Sequence, residues 1–175
     1  MGDGDCGDTL KTGATAMIAA LDSGLAKDGS VIQVLFELGS IAESRLGGTL
    51  GGILGIFFVS LTACVQQNVK RMSGIQLWSH ALATALGKLQ QYTPAKVGDR
   101  TVMDALIPFA TTMEETGSFE KGVQKAVAQA KATASMKPKL GRATYVGGTE
   151  GKDMPPDPGA MGASEVLQGL LEGSR

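Results

Sequence analysis

The chain alternates between amphipathic stretches and short polar breaks. From Asp8 to Ala26, Leu10, Met17, Ile18, Leu21 and Leu25 recur at helical spacing behind an acidic first turn, which predicts a helix ended by "KDGS". Val31 to Leu46 carries Ile32, Leu35, Phe36, Leu38 and Ile41 on a second stripe. "LGGTLGG" is expected to interrupt before an almost wholly apolar helix over Ile53 to Val69. After "RMSG", Trp78, Leu82, Leu86 and Leu89 form a single stripe. Beyond the loop "YTPAKVGD", Arg100 to Glu115 reads as helix with Pro108 kinking it. Val123, Val127, Ala130 and Ala134 mark another helix, and Gly159 to Glu172 a short last one. No strand alternation persists, so the expected class is all-α. An aromatic content of only 5% favours helices packed through small residues over a β-sandwich.

Two stretches depart from this rhythm. Leu46 to Val69 holds no charge, is long enough to cross a bilayer, and spaces Gly48/Gly52 and Gly51/Gly55 as in membrane-helix dimers. Its glycine-dense start and the polar Ser60, Thr62, Gln66 and Gln67 favour a core helix of a bundle, surrounded by partners on all sides, with no membrane contact. From Lys137 the texture changes to "KPKLGRATYVGGTEGKDMPPDPGA", rich in glycine and proline. A loop of that length in a compact domain usually serves function.

Composition narrows the classes further. A chain of 175 residues with 43% hydrophobic content fits one domain with a sizeable core. A net charge of -1 leaves no basic excess to hold a nucleic-acid backbone. Cys6 and Cys64 make no disulfide framework, so a reducing, cytoplasmic setting is expected. The acidic, glycine-rich start lacks the basic and then apolar pattern of a signal peptide.

Candidate chemistry begins in "GDGDCGDTL", where Asp3, Asp5 and Asp8 lie among three glycines. Like charges this close need a cation to coexist. A calcium loop of the EF-hand type fails, because its fifth and twelfth positions would be Gly7 and Ala14. A Walker-type loop fails for want of G-K-[ST] after a strand. Two readings stay open: an acidic terminus that only caps the following helix, or glycines that let Asp3 and Asp5 converge on one hard cation. Mg2+ held by few carboxylates would keep positions open for phosphate oxygens. Gly47 and Gly48, leading into a helix, offer unhindered amides at a positive dipole end, which is a ready anion site.

"GDGDCG", "GGTLGG", "KVGDRTVMDALIP", "MKPKLGRATYV" and "PDPGA", in this order, closely resemble the C-terminal, ATP-binding half of dihydroxyacetone kinases, and the Cys after GDGD resembles the eukaryotic, fungal form. The resemblance covers essentially the whole of 1–175. It implies a closed barrel of amphipathic, mostly antiparallel helices with the nucleotide at one end. By matched position, it makes Asp3 and Asp5 ligands of Mg2+ bridging the ATP phosphates, and Cys6, Gly7, Asp8 and Thr9 a nucleotide-contacting first turn. Thr49 and Leu50 match the contact pair of the Gly47–Gly48 loop, and Thr93 and Val102 match positions around "GDRT". Arg142, in a loop covering the nucleotide from about 137 to 158, would spread phosphate charge, with Asp157, Pro158 and Gly159 completing the cover. Asp157 also suits a turn before Pro158.

The family pattern also marks departures. It places a third aspartate five residues ahead of Asp3, after a further helix, so an N-terminally truncated domain is expected. It usually has a serine where Leu50 stands. It holds dihydroxyacetone on a separate domain through a covalent histidine, whereas His80, the sole histidine, matches no such motif and reads as an ordinary surface or boundary residue. The expected function is therefore Mg-ATP binding, with transfer of the phosphoryl group to dihydroxyacetone on a partner domain. The chain alone would be inactive. A homodimer is left open. Two alternatives are a phosphocarrier or regulator that keeps ADP as cofactor, and the related nucleotide domain of fatty-acid kinases, against which "LGRATYV" and "PDPGA" argue.

Overall fold

A computed structural model describes residues 4–140, 144 and 154–175. Among these residues the chain forms seven α-helices, one 3-10 turn and no strand, in keeping with the expected all-α class. The helices are α1 (Cys6–Asp22), α2 (Val31–Arg45), α3 (Gly48–Asn68), α4 (Gly74–Leu89), α5 (Met103–Thr116), α6 (Phe119–Ala132) and α7 (Pro158–Gly173). The 3-10 turn, Thr133–Ser135, extends α6. Two compact units result: Cys6–Thr93, and Pro94–Arg175 with the leading Met1–Asp5.

In the unit Cys6–Thr93, α1 packs on α2, α2 on α3 and α3 on α4. Ser30 caps α2, its hydroxyl accepting from the Gln33 amide at 3.3 Å. The core is built from Leu35, Ile41, Phe57, Leu61, Leu82 and Leu86 with Ala81 and Ala85. Within α4 the buried stripe runs through Leu77 rather than Trp78, which is half-buried, and His80 is exposed as expected. No residue of α1 is buried, and Ile18 and Leu21 on its apolar stripe are exposed.

The sharpest difference from the sequence expectation is the start of α3. "LGGTLGG" interrupts only at Leu46 and Gly47: α2 ends at Arg45 and α3 begins at Gly48, earlier than the expected Ile53, and the φ of +65° at Gly48 lets the chain turn sharply out of α2. A Cβ on Gly51 would overlap the Leu46 carbonyl at the end of α2, and only glycine fits that approach. The glycines therefore serve the α2–α3 junction. Nor is α3 surrounded on all sides. It buries Gly51, Phe57, Leu61, Thr62, Cys64 and Val65 while Val59 stays 62% exposed. By length and composition alone α3 could cross a membrane, with a mean hydropathy of 1.9 over its best window.

In the second unit, α5, α6 and α7 pack pairwise around Met103, Phe109, Met113, Val123, Ala126 and Leu167. Phe109 meets Phe119 edge-on at 5.8 Å, and its ring and carbonyl close over Gly122. Helix α5 starts at Met103, not Arg100, and runs through Pro108 to Gly117, whose φ of +61° ends it. Of the expected α6 stripe, Val123 and Ala130 are buried and Val127 and Ala134 half-buried, and Ala126 adds to the buried face.

Candidate nucleotide site

The acidic loop leads directly into a helix. Gly4 takes a φ of +77°, Asp5 is exposed in a turn, and α1 begins at Cys6, two residues earlier than the stripe predicts. Cys6, Gly7, Asp8 and Thr9 are therefore the first turn of α1, with exposed Asp8 set at its positive end. One turn on, Gly13 approaches Leu46 so closely that a Cβ would lie 2.8 Å from Cδ2. Helix α1 thus meets the Leu46 side chain at the end of α2. Gly47 is the N-cap of α3 and supplies no side-chain cap, so the first turn, Gly48, Thr49 and Leu50, presents its amides without one. Thr49 is exposed and Leu50 half-buried. Thr93, half-buried, closes this unit beyond α4.

The second unit gathers the remaining described candidates. Asp157 is the buried N-cap of α7, with Pro158 at the first helical position, and its Oδ2 accepts from the Ala160 amide at 2.9 Å. The expected turn former is thus a helix cap. Burial raises the Asp157 carboxyl above the usual carboxylate range; the Ala160 amide, the Arg100 guanidinium and the Gly159 amide oppose the rise. Gly159 backs onto Val102: a Cβ there would lie 3.6 Å from Val102 Cβ and 3.2 Å from Asp157 Oδ2. The structure therefore brings Val102 together with Asp157 and Gly159, although 55 or more residues separate them in the chain. Asp3 and Arg142 lie outside the described residues, as does most of the segment from 141 to 153.

Several residues here escaped the sequence reading. Asp104, fully buried, accepts from the Gly98 amide at 2.6 Å and the Thr101 amide at 2.8 Å, while Thr101 Oγ1 accepts from the Met103 amide at 3.2 Å. Thr101-x-x-Asp104 is a capping box ahead of an apolar run, a signal that was present in the sequence. Arg100, 1% exposed, donates to the Thr133 and Pro155 carbonyls. Burial lowers its pKa and Asp157 pulls it back.

A metal site can be judged only by its donors. Among the described residues no group of three or more His, Cys, Asp or Glu could hold a metal ion. The carboxylate of Asp5, and that of Asp3 by sequence, are hard oxygen donors of the kind Mg2+ takes, so the donor type fits.

A helical domain with an uncapped glycine-led helix start and a capped α7 entry defines the class, and comparison with known proteins gives the family. The DAK2 domain matches residues 1–172, so the chain belongs to the DAK2 domain family. It is 35% identical to the dihydroxyacetone kinase of Komagataella pastoris over 98% of this chain and 30% of that protein. It is equally 35% identical to the triokinase/FMN cyclase of Mus musculus, over 98% of this chain and 30% of that protein. The chain thus spans about 30% of the length of these relatives. Among solved structures, the native dihydroxyacetone kinase of C. freundii superposes with a TM-score of 0.75 at 25% identity, covering 99% of this chain and 29% of that one. The same enzyme in complex with AMP-PNP and Mg2+ has a TM-score of 0.72 at 23% identity.

Proposed function

We propose that this chain is the nucleotide-binding domain of a dihydroxyacetone kinase, binding Mg-ATP and supplying the phosphoryl group to dihydroxyacetone held on a separate domain. The observation that carries this reading is the DAK2 match over residues 1–172 in a chain that spans about 30% of relatives named for the kinase activity. That share leaves room in those relatives for a substrate-binding part, and it favours the kinase over a stand-alone ADP-holding carrier. The triokinase/FMN cyclase relatives widen the acceptor to trioses as a class.

In this reading Asp3 and Asp5 would hold Mg2+ as hard oxygen donors; the C. freundii enzyme in complex with AMP-PNP and Mg2+ supports the nucleotide and the metal, not the choice of residues. Bound Mg2+ would supply charge neutralisation at the phosphate oxygens. The first turns of α1 (Cys6, Gly7, Asp8, Thr9) and α3 (Gly47 to Leu50) donate backbone amides to phosphate oxygens, helped by the helix dipoles. Thr93, Val102, Asp157, Pro158 and Gly159 contact the rest of the nucleotide. Arg142 adds its forked donors to the charge that develops in phosphoryl transfer. A hydroxyl of the acceptor, oriented by the partner domain, is the nucleophile, and positioning supplies much of the rate.

Isothermal titration of AMP-PNP with and without Mg2+ tests the site. Tighter binding with Mg2+, weakened strongly by Asp5→Asn and hardly at all by the α2 surface change Glu43→Gln, is expected. Equal affinity in both conditions would remove Asp3 and Asp5 from the site.

A further inference from the structure

Asp99 and Arg100 precede α5 and carry no role in the reading above, yet both are buried. Arg100 takes a φ of +62°, the left-handed region that costs any residue with a Cβ. The two neighbours hold different points of the chain. Asp99 Oδ1 pairs with Lys139 Nζ at 3.2 Å, and its carbonyl accepts from the Lys139 amide at 3.4 Å. Arg100 Nε donates to the Thr133 carbonyl at 3.1 Å, where α6 ends, and Nη2 donates to the Pro155 carbonyl at 2.6 Å, two residues before the Asp157 cap. Thr133 Oγ1 in turn accepts the Asp157 amide at 2.7 Å. One guanidinium therefore ties the end of α6 and the entry to α7 to the loop that carries Val102.

Apolar packing could hold three helices together without a buried charge or a left-handed arginine. What the planar fork adds is direction, since its donors leave in fixed orientations and cannot slide. We propose that Arg100 is a positioning residue for nucleotide: it sets the place of Val102 against Asp157 and Gly159, and through them the affinity for ATP, without touching the ligand. This inference rests on the nucleotide reading above.

The test is titration of the full chain with Mg-AMP-PNP, alongside urea unfolding. Arg100→Gly suits the left-handed backbone and leaves a space that guanidinium ion can enter; Arg100→Lys keeps the charge and loses the fork. Val123→Ala, a core change in α6, serves as a reference for lost stability alone. Arg100→Gly is expected to weaken binding about tenfold and Arg100→Lys about threefold, with Val123→Ala near the parent value. Millimolar guanidinium chloride should restore much of the Arg100→Gly loss and leave the parent unchanged. If the parent binds and both Arg100 variants bind equally well, the positioning role is overturned and the nucleotide reading stands. The role is also overturned if Val123→Ala loses as much affinity at the same urea midpoint. Should Arg100→Gly fail to fold, Arg100→Lys decides by the same comparison. Absence of binding by the parent itself would instead strike the nucleotide reading, and the proposal with it.

Discussion

Thr133 Oγ1 accepts the backbone amide of Asp157 at 2.7 Å while donating to the Ala130 carbonyl at 2.5 Å. One hydroxyl, with no solvent exposure, thereby joins the end of α6 to the entry of α7. Thr133→Val keeps the shape, removes both bonds and leaves the Asp157 amide buried without this partner. A loss of about 1–3 kcal/mol in unfolding free energy is expected, with Thr133→Ser costing less. Urea unfolding of the three proteins checks it.

Gly51 and Gly52 are adjacent in α3 and should respond oppositely to the same change. A Cβ at Gly51 would overlap the Leu46 carbonyl, whereas one at Gly52 meets nothing within 4 Å. Gly51→Ala is expected to destabilise by about 1–3 kcal/mol, as overpacking against backbone does. Gly52→Ala should stabilise by about 0.5–1 kcal/mol through helix propensity. Thermal melts of both variants would show the two midpoints moving in opposite directions.

The buried carboxylates Asp99 and Asp157 give stability two opposite pH dependences. The Lys96 amide is the main cause that holds Asp99 below the ordinary 3.8, burial opposes it, and Lys139 adds to the lowering. The unfolded chain then takes up this proton before the native one, so the Asp99 contribution is complete above 3.8 and fades as pH falls through the native value. For Asp157, raised chiefly by burial, the native chain holds its proton longer, and stability declines as pH rises from 3.8 through the native value. Asp99→Asn should flatten the acid-side loss, and Asp157→Asn the decline above it. Urea midpoints measured from about pH 3 to 7 separate the two slopes.

In a coupled assay for dihydroxyacetone phosphorylation, the 175-residue chain alone is expected to show no turnover. In the proposed reading the acceptor is positioned by a separate domain, and His80, exposed on α4, takes no part. The remaining part of a dihydroxyacetone kinase relative, added in trans as the proposed substrate domain, should restore measurable activity. Turnover by the chain alone at the rate of a two-domain enzyme would refute the division of labour.

What the sequence determined by itself was local. Helical periodicity marked α1, α2, α4 and α6, because an amphipathic stripe needs only neighbours three and four residues apart, while α3 was legible as an apolar run. Asp157 before Pro158 was legible as a turn former, and became a cap, because a cap reaches only to the amide three residues on. The Thr101-x-x-Asp104 box was equally local and readable. Tertiary structure decided whatever depended on distant partners. Glycine in isolation breaks a helix, so the sequence did not show that Gly51 lies inside α3, where only the approach of the Leu46 carbonyl explains its lack of a side chain. The sequence placed Arg100 at the start of a helix and showed no partner for it; its burial came from carbonyls 33 and 55 residues away, at Thr133 and Pro155. Nothing near residue 100 encodes those acceptors. A buried charge is set by whatever the fold brings to it, and here α6 and α7 bring two backbone carbonyls.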